Sequence, residues 1–147
     1  MATAHVEQEL PASAEKVWSL IEDFSDVSAW ATADLSVARS EGSGKGALRW
    51  LETAQGPMVE RCETYDAQAR TFSYSITEGP ASMKRYLSTV SVRPAGDGRC
   101  IITWGCDFEM DGVPEAAAVQ LMEGVYRDGF IANLARTLAA DSQRRAG

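Results

Sequence analysis

Between Gly46 and Asp111 the chain alternates apolar and polar residues at period two, and one long amphipathic segment follows. Phe72, Tyr74 and Ile76 form one apolar set. Tyr86, Ser88, Val90 and Val92 form the next, and Ile102, Trp104, Cys106, Phe108 and Met110 the last. Thr71, Ser73, Ser75, Thr77, Arg85, Thr89, Thr103, Asp107 and Glu109 fall between them. Such alternation specifies strands with one wet and one buried face. The short breaks between them make consecutive strands antiparallel neighbours. A curved antiparallel sheet covered by one helix is wide enough to leave a hollow. The buried face is aromatic yet dotted with hydroxyl, thiol and charged groups, which is how ligand pockets are lined.

Other elements follow from local chemistry. Val6, Gln8 and Leu10 mark a short first strand, and Ser13 is placed to cap a helix that ends near Asp23. Asp26 to Trp30 is expected as a second short helix, and Asp34 to Glu41 as the second strand. Gly42 to Gly46 reads as a flexible loop, and Pro114 and Glu115 start a helix of roughly 40 Å reaching about Asp141. Ser142 to Gly147 is expected to fray. The turn around Gly96-Asp97 brings Val92 to Ile102, Val90 to Trp104 and Tyr86 to Phe108. That at Gly79-Pro80 brings Tyr74 to Tyr86, and that at Ala67-Gln68 brings Cys62 to Tyr74 and Glu60 to Ile76. These registers agree on one inner face. A two-residue loop at Gln55-Gly56 sets Leu51 against Glu60 and Arg49 against Cys62, with Arg49 and Glu60 diagonal on the inner face. A one-residue slip instead puts Trp50 inside and Arg49 in water.

The 147 residues are expected to form one α+β domain. A formal charge of −7, from 14 basic and 21 acidic side chains, opposes a nucleic-acid or anionic-membrane surface. No leader or membrane span is read in the chain, and a cytoplasmic monomer or homodimer is expected. Cys62, Cys100 and Cys106 lack metal-type spacing and are expected to be reduced. His5 is the only histidine, which removes a Ser–His–Asp triad, and no dinucleotide fingerprint is present. Neither metal nor organic cofactor is expected.

Gly42-x-Gly44-x-Gly46-Ala47-x-Arg49, Val59-Glu60-Arg61, Asp66, Arg70, Ser73-Tyr74 and Tyr86 form one diffuse pattern. Val92-x-Pro94, Gly96-x-Gly98, Thr103-Trp104 and Phe108 continue it. The pattern resembles the polyketide cyclase/dehydrase branch of the START-like superfamily (SRPBCC) over nearly the whole chain. The resemblance implies a helix-grip fold: a seven-stranded curved antiparallel sheet wrapped around a long C-terminal helix, with two short helices after strand one. It implies a small hydrophobic, aromatic or polyketide-like ligand in an internal cavity. Carriers, enzymes and chaperone cofactors share the fold, so it does not choose among them.

The candidate ligand-binding residues are Trp30, Arg49, Glu60, Cys62, Tyr74, Tyr86, Trp104, Met122 and Tyr126. Arg49 and Glu60 point inward in relatives of this kind; the opposing reading is a solvated cross-strand pair. Tyr74, Tyr86 and Trp104 offer an apolar body with a polar tip, for ligand stacking or for plain core packing. Trp30 lines the mouth or anchors the corner, and Met122 and Tyr126 face the hollow or pack the helix on the sheet. Gly124 and Gly129, costly inside a helix, fit a close approach or a bend there. The glycine loop is a flap over the cavity or a simple connection. In a cofactor-free cyclase, Arg49 would polarise a carbonyl, Glu60 would move a proton, and Tyr74 or Tyr86 would orient or protonate the substrate.

Overall fold

The computed structural model describes residues 1–146. Seven strands form one antiparallel sheet: β1 (Ala2–Leu10), β2 (Ser36–Glu41), β3 (Leu48–Thr53), β4 (Gly56–Asp66), β5 (Thr71–Glu78), β6 (Met83–Pro94) and β7 (Cys100–Met110). Their order is β1-β7-β6-β5-β4-β3-β2, so β2 through β7 form a meander and β1 closes onto β7. Helix α1 (Ala14–Ile21) leads from one edge strand towards the other. The long C-terminal helix is α2 (Glu115–Gly124), a π-helical segment (Val125–Ile131) and α3 (Ala132–Ala146). This is the helix-grip architecture.

The alternating pattern dictates the faces. Val90, Val92, Ile102, Trp104 and Phe108 are buried to the last percent, and Val92 pairs with Ile102 and Val90 with Trp104. Cys62 pairs with Tyr74 and Glu60 with Ile76. Tyr86 falls at a bulge opposite Phe108, between the Lys84–Glu109 and Leu87–Asp107 pairs, where Arg85 takes a φ of 52°. The extra residue bends the strand while Tyr86 keeps facing inward. Further bulges at Val59/Glu60 and Cys62/Thr64 help curl the sheet around the helix.

Four expectations need correction. The β3–β4 turn is Ala54-Gln55, with Thr53 opposite Gly56, so Arg49 pairs directly with Glu60 and Leu51 with Met58. Tyr74 pairs with Ser88, although its ring centroid stays 6.1 Å from that of Tyr86. Asp26 to Trp30 forms turns, not a helix. Asp23 and Asp26 each accept a backbone and a hydroxyl hydrogen bond from the serine two residues on, a local closure that competes with helical bonding. The last helix continues to Ala146, and Gly147 lies outside the described residues. Ser13 caps α1 as expected, accepting from the Lys16 N–H at 3.1 Å.

Two connections set the site. The Thr137 hydroxyl donates to the Ala29 carbonyl at 2.7 Å, and the Asn133 amide to the Ala31 carbonyl at 3.0 Å. These bonds pin the 29–31 turn to α3 and drive Trp30 inward, where 2 % of its surface remains exposed. At the other end Trp18, Phe24 and Phe72 pack ring to ring and seal the interior. The hollow therefore lies at the opposite end of the sheet.

Candidate functional site

A cavity of ≈ 890 Å³ lies between the sheet and the long helix. Leu51, Met58 and Ile76 line the sheet side, and Met122, Val125 and Phe130 the helix side. Thr32 and Asp34, Gln55, Pro80 and Ser82, and Gln120 and Leu121 add wall from four separate segments. Glu60, Tyr74, Tyr86, Tyr126 and Trp30 supply its polar and aromatic surface. The volume suits a drug-sized molecule.

The site residues fall into two layers. Trp30, Glu60, Tyr74, Tyr86, Met122 and Tyr126 reach the cavity surface, whereas Arg49, Cys62 and Trp104 are buried behind it. Arg49 Nε donates to Glu60 Oε1 at 2.8 Å, and its Nη2 lies 2.7 Å from the same oxygen. That second contact is an ion pair without hydrogen-bond geometry. Nη1 donates to the Phe24 carbonyl at 3.0 Å. The guanidinium lies over the rings of Phe24, Tyr74 and Trp30, at 3.9, 5.0 and 5.4 Å from their centroids. Enclosed in this way, the guanidinium contacts Glu60 and does not border the cavity.

Burial pushes the Glu60 carboxyl above the usual carboxylate range, with Arg49 pulling the other way. Oε1 takes the Arg49 bond; among the described residues Oε2 takes none. The tyrosines stay protonated. Burial raises Tyr74 to about 12, helped by the Glu60 charge, and lifts Tyr86 and Tyr126 well above their ordinary value. The hydroxyls of Tyr86 and Tyr126 meet at 2.5 Å. Trp104 Nε1 donates to the Tyr74 hydroxyl at 3.1 Å, and its ring stacks on Tyr126 at 5.9 Å. Trp104 thus holds two lining tyrosines from behind. Cys62 is likewise structural in its contacts, its thiol donating to the Thr64 carbonyl at 3.3 Å.

Leu51, Met58, Ile76, Met83, Met110, Leu121 and Phe130 also line the cavity. The alternating pattern already carried Ile76 and Met110 on the inner face; Leu121 and Phe130 had no such signal. Gly129 is close to the 29–35 turn, since a Cβ there would lie 3.4 Å from Thr32 Cγ2, while a Cβ on Gly124 meets nothing nearer than 3.9 Å. The three cysteines are free. Among the described residues no group of three His, Cys, Asp or Glu side chains is placed to hold a metal ion, and no helix is long and apolar enough to cross a membrane.

The family described as polyketide cyclase / dehydrase and lipid transport matches residues 1–139. The chain belongs to this family. A protein from Bacillus thuringiensis shares 28% identity with this polyketide cyclase/dehydrase-family chain, covers 92% of it over 97% of its own length, and superposes with a TM-score of 0.80. The protein XoxI from Bacillus cereus is also 28% identical, over 96% of this chain and 99% of its own, with a TM-score of 0.80. Norcoclaurine synthase from Thalictrum flavum, solved with dopamine and hydroxybenzaldehyde, has the same fold at 18% identity. It covers 97% of this chain and 86% of its own, with a TM-score of 0.70. None of the curated proteins matches the chain.

Proposed function

We propose that this family member binds a small, largely apolar, aromatic or polyketide-like molecule in the cavity between sheet and helix. The observation that carries the reading is the composition of that cavity. Apolar walls from Leu51, Met58, Ile76, Met122 and Phe130 converge on one buried carboxylate, Glu60, and three phenols. Apolar walls supply affinity, and a few fixed polar groups orient the bound molecule. The rings need no movement to present their faces, since Trp30, Tyr74 and Tyr126 are each held by the buried Trp104. The test is native mass spectrometry of the purified full chain. A retained or added aromatic of drug size, lost when Ile76 is replaced by Trp to fill the hollow, supports binding. A chain that takes up none of a panel of bicyclic and tricyclic aromatics refutes it.

A catalytic reading rests on one further observation. Glu60 has an upward-shifted pKa and shares the cavity with phenols that remain donors. In a cofactor-free aldol-type cyclisation and dehydration, Glu60 would take and return the proton. Tyr86 would donate to the developing enolate oxygen, and Arg49 would fix the carboxylate from behind. Replacing Glu60 by Gln should then cost roughly 10²–10⁴-fold in turnover of a poly-β-keto substrate while binding survives. Turnover unchanged in the variant removes the catalytic reading and leaves the carrier.

A further inference from the structure

We infer that the molecule this cavity accepts is an aromatic bearing an O–H or N–H donor, and that carboxylates and phosphates are excluded. The inference rests on the binding reading above and adds the polarity of the occupant. Among the described residues three ionisable acids reach the cavity surface, Asp34, Glu60 and Asp128, and no lysine, arginine or histidine does. The basic group paired with the site is Arg49, which is 1 % exposed and already spans Glu60 and the Phe24 carbonyl. An anionic ligand would find no cation to meet and would lie beside a like charge.

The second observation is the free oxygen of Glu60. Its side chain is nine-tenths buried, it lines the cavity, and among the described residues Oε2 has no hydrogen-bond donor. An apolar ligand lying over Oε2 would strip its water and leave an acceptor unpaired, whereas a hydroxyl or amine replaces that water with a bond. The Tyr86–Tyr126 hydroxyl pair adds the complement. It holds two protons and uses one within the pair; with Tyr126 donating to Tyr86, the Tyr86 proton is left to meet a ligand oxygen, while Tyr126 also lies beside the Cys106 thiol. A phenolic or enolic hydroxyl, donor and acceptor in one group, satisfies both sides.

The test is isothermal titration calorimetry of the full chain with three naphthalenes of nearly equal shape: 2-naphthol, 2-methylnaphthalene and 2-naphthoate. Near-neutral pH and physiological salt keep exposed charges screened. The expected order is naphthol first, with naphthoate weaker by about tenfold or more, the usual worth of one unmet buried polar group. In Glu60→Gln the naphthoate penalty should shrink several-fold. Naphthoate binding as tightly as naphthol to the unaltered chain overturns the inference, and this ranking decides even if the variant fails to fold. Methylnaphthalene binding as tightly as naphthol, with naphthoate still weaker, refutes the donor requirement. Failure of all three, methylnaphthalene included, refutes the binding reading itself.

Discussion

Removing Glu60 alone should destabilise the protein more than removing Glu60 and Arg49 together. Arg49 keeps 1 % of its side-chain surface and Glu60 keeps 9 %, so Glu60→Ala strands a guanidinium in the interior. Breaking a buried pair from one side typically costs about 3–5 kcal/mol. Here the Phe24 carbonyl and three ring faces remain to the cation, which places the cost near the lower end, about 3 kcal/mol. For a chain of this size that is a fall in Tm of roughly 6–12 °C. Arg49→Met should be milder, because the Glu60 carboxyl, already pushed upward by burial, takes a proton. The double variant leaves no stranded charge, and the cycle should give a coupling of about 2 kcal/mol. Urea unfolding followed by tryptophan fluorescence measures all four corners, with unchanged m-values required for the comparison. Additive effects, within about 0.5 kcal/mol, would mean the pair does not behave as a buried one.

Tyr86→Phe and Tyr126→Phe should each cost about 1–3 kcal/mol by orphaning the partner hydroxyl, and the double variant should cost less than their sum; additivity in urea melts would contradict this. Tyr74 is held at about 12 in the fold against an ordinary value of 10. Its contribution is therefore complete below pH 10 and disappears as pH rises towards 12. Alkaline titration watched by tyrosinate absorbance should show Tyr74, Tyr86 and Tyr126 ionising only with loss of structure, and a normal early titration of all four tyrosines would refute their placement. Gly124→Ala should stabilise by about 0.5–1 kcal/mol, since the added Cβ makes only an ordinary contact with Asp128 at 3.9 Å and the helix gains propensity; a drop in Tm would show that the site tolerates only glycine.

The fold was legible because strand parity is robust. The β3–β4 turn sits one residue earlier than Gln55-Gly56, so the register moves by two and every side chain keeps its face. Arg49 and Glu60 therefore turn inward under either register. Depth was not legible. Period two says that Cys62, Trp104 and Tyr74 share a face, but it does not say which of them border empty space. That depends on where Phe24 and Trp30 enter from the long β1–β2 connection, whose turns are set by serine–aspartate pairs rather than by any periodicity. The same limit applies to Arg49, whose inward parity does not tell a ligand-facing group from one behind the cavity wall. A strand pattern gives inside and outside, and the aromatic cage that walls it off comes from elsewhere in the chain.

The π-helical segment carries a consequence for how such a cavity changes over time. Buried positions along the long helix run Ala118, Met122, Tyr126, then Ile131, Leu134 and Leu138. Every interval is three or four residues except the one from Tyr126 to Ile131, which is five and falls inside Val125–Ile131. One surplus residue is therefore stored there, between two halves that each keep a regular apolar stripe. Removing a residue between these two positions would restore an ordinary four-residue interval with both stripes still facing the sheet. Elsewhere in the helix the same deletion would rotate everything beyond it by about 100°. The wall formed by Gly124 to Phe130 is thus the stretch where chain length itself can vary, and where a descendant could acquire a differently shaped hollow without rebuilding the grip around it.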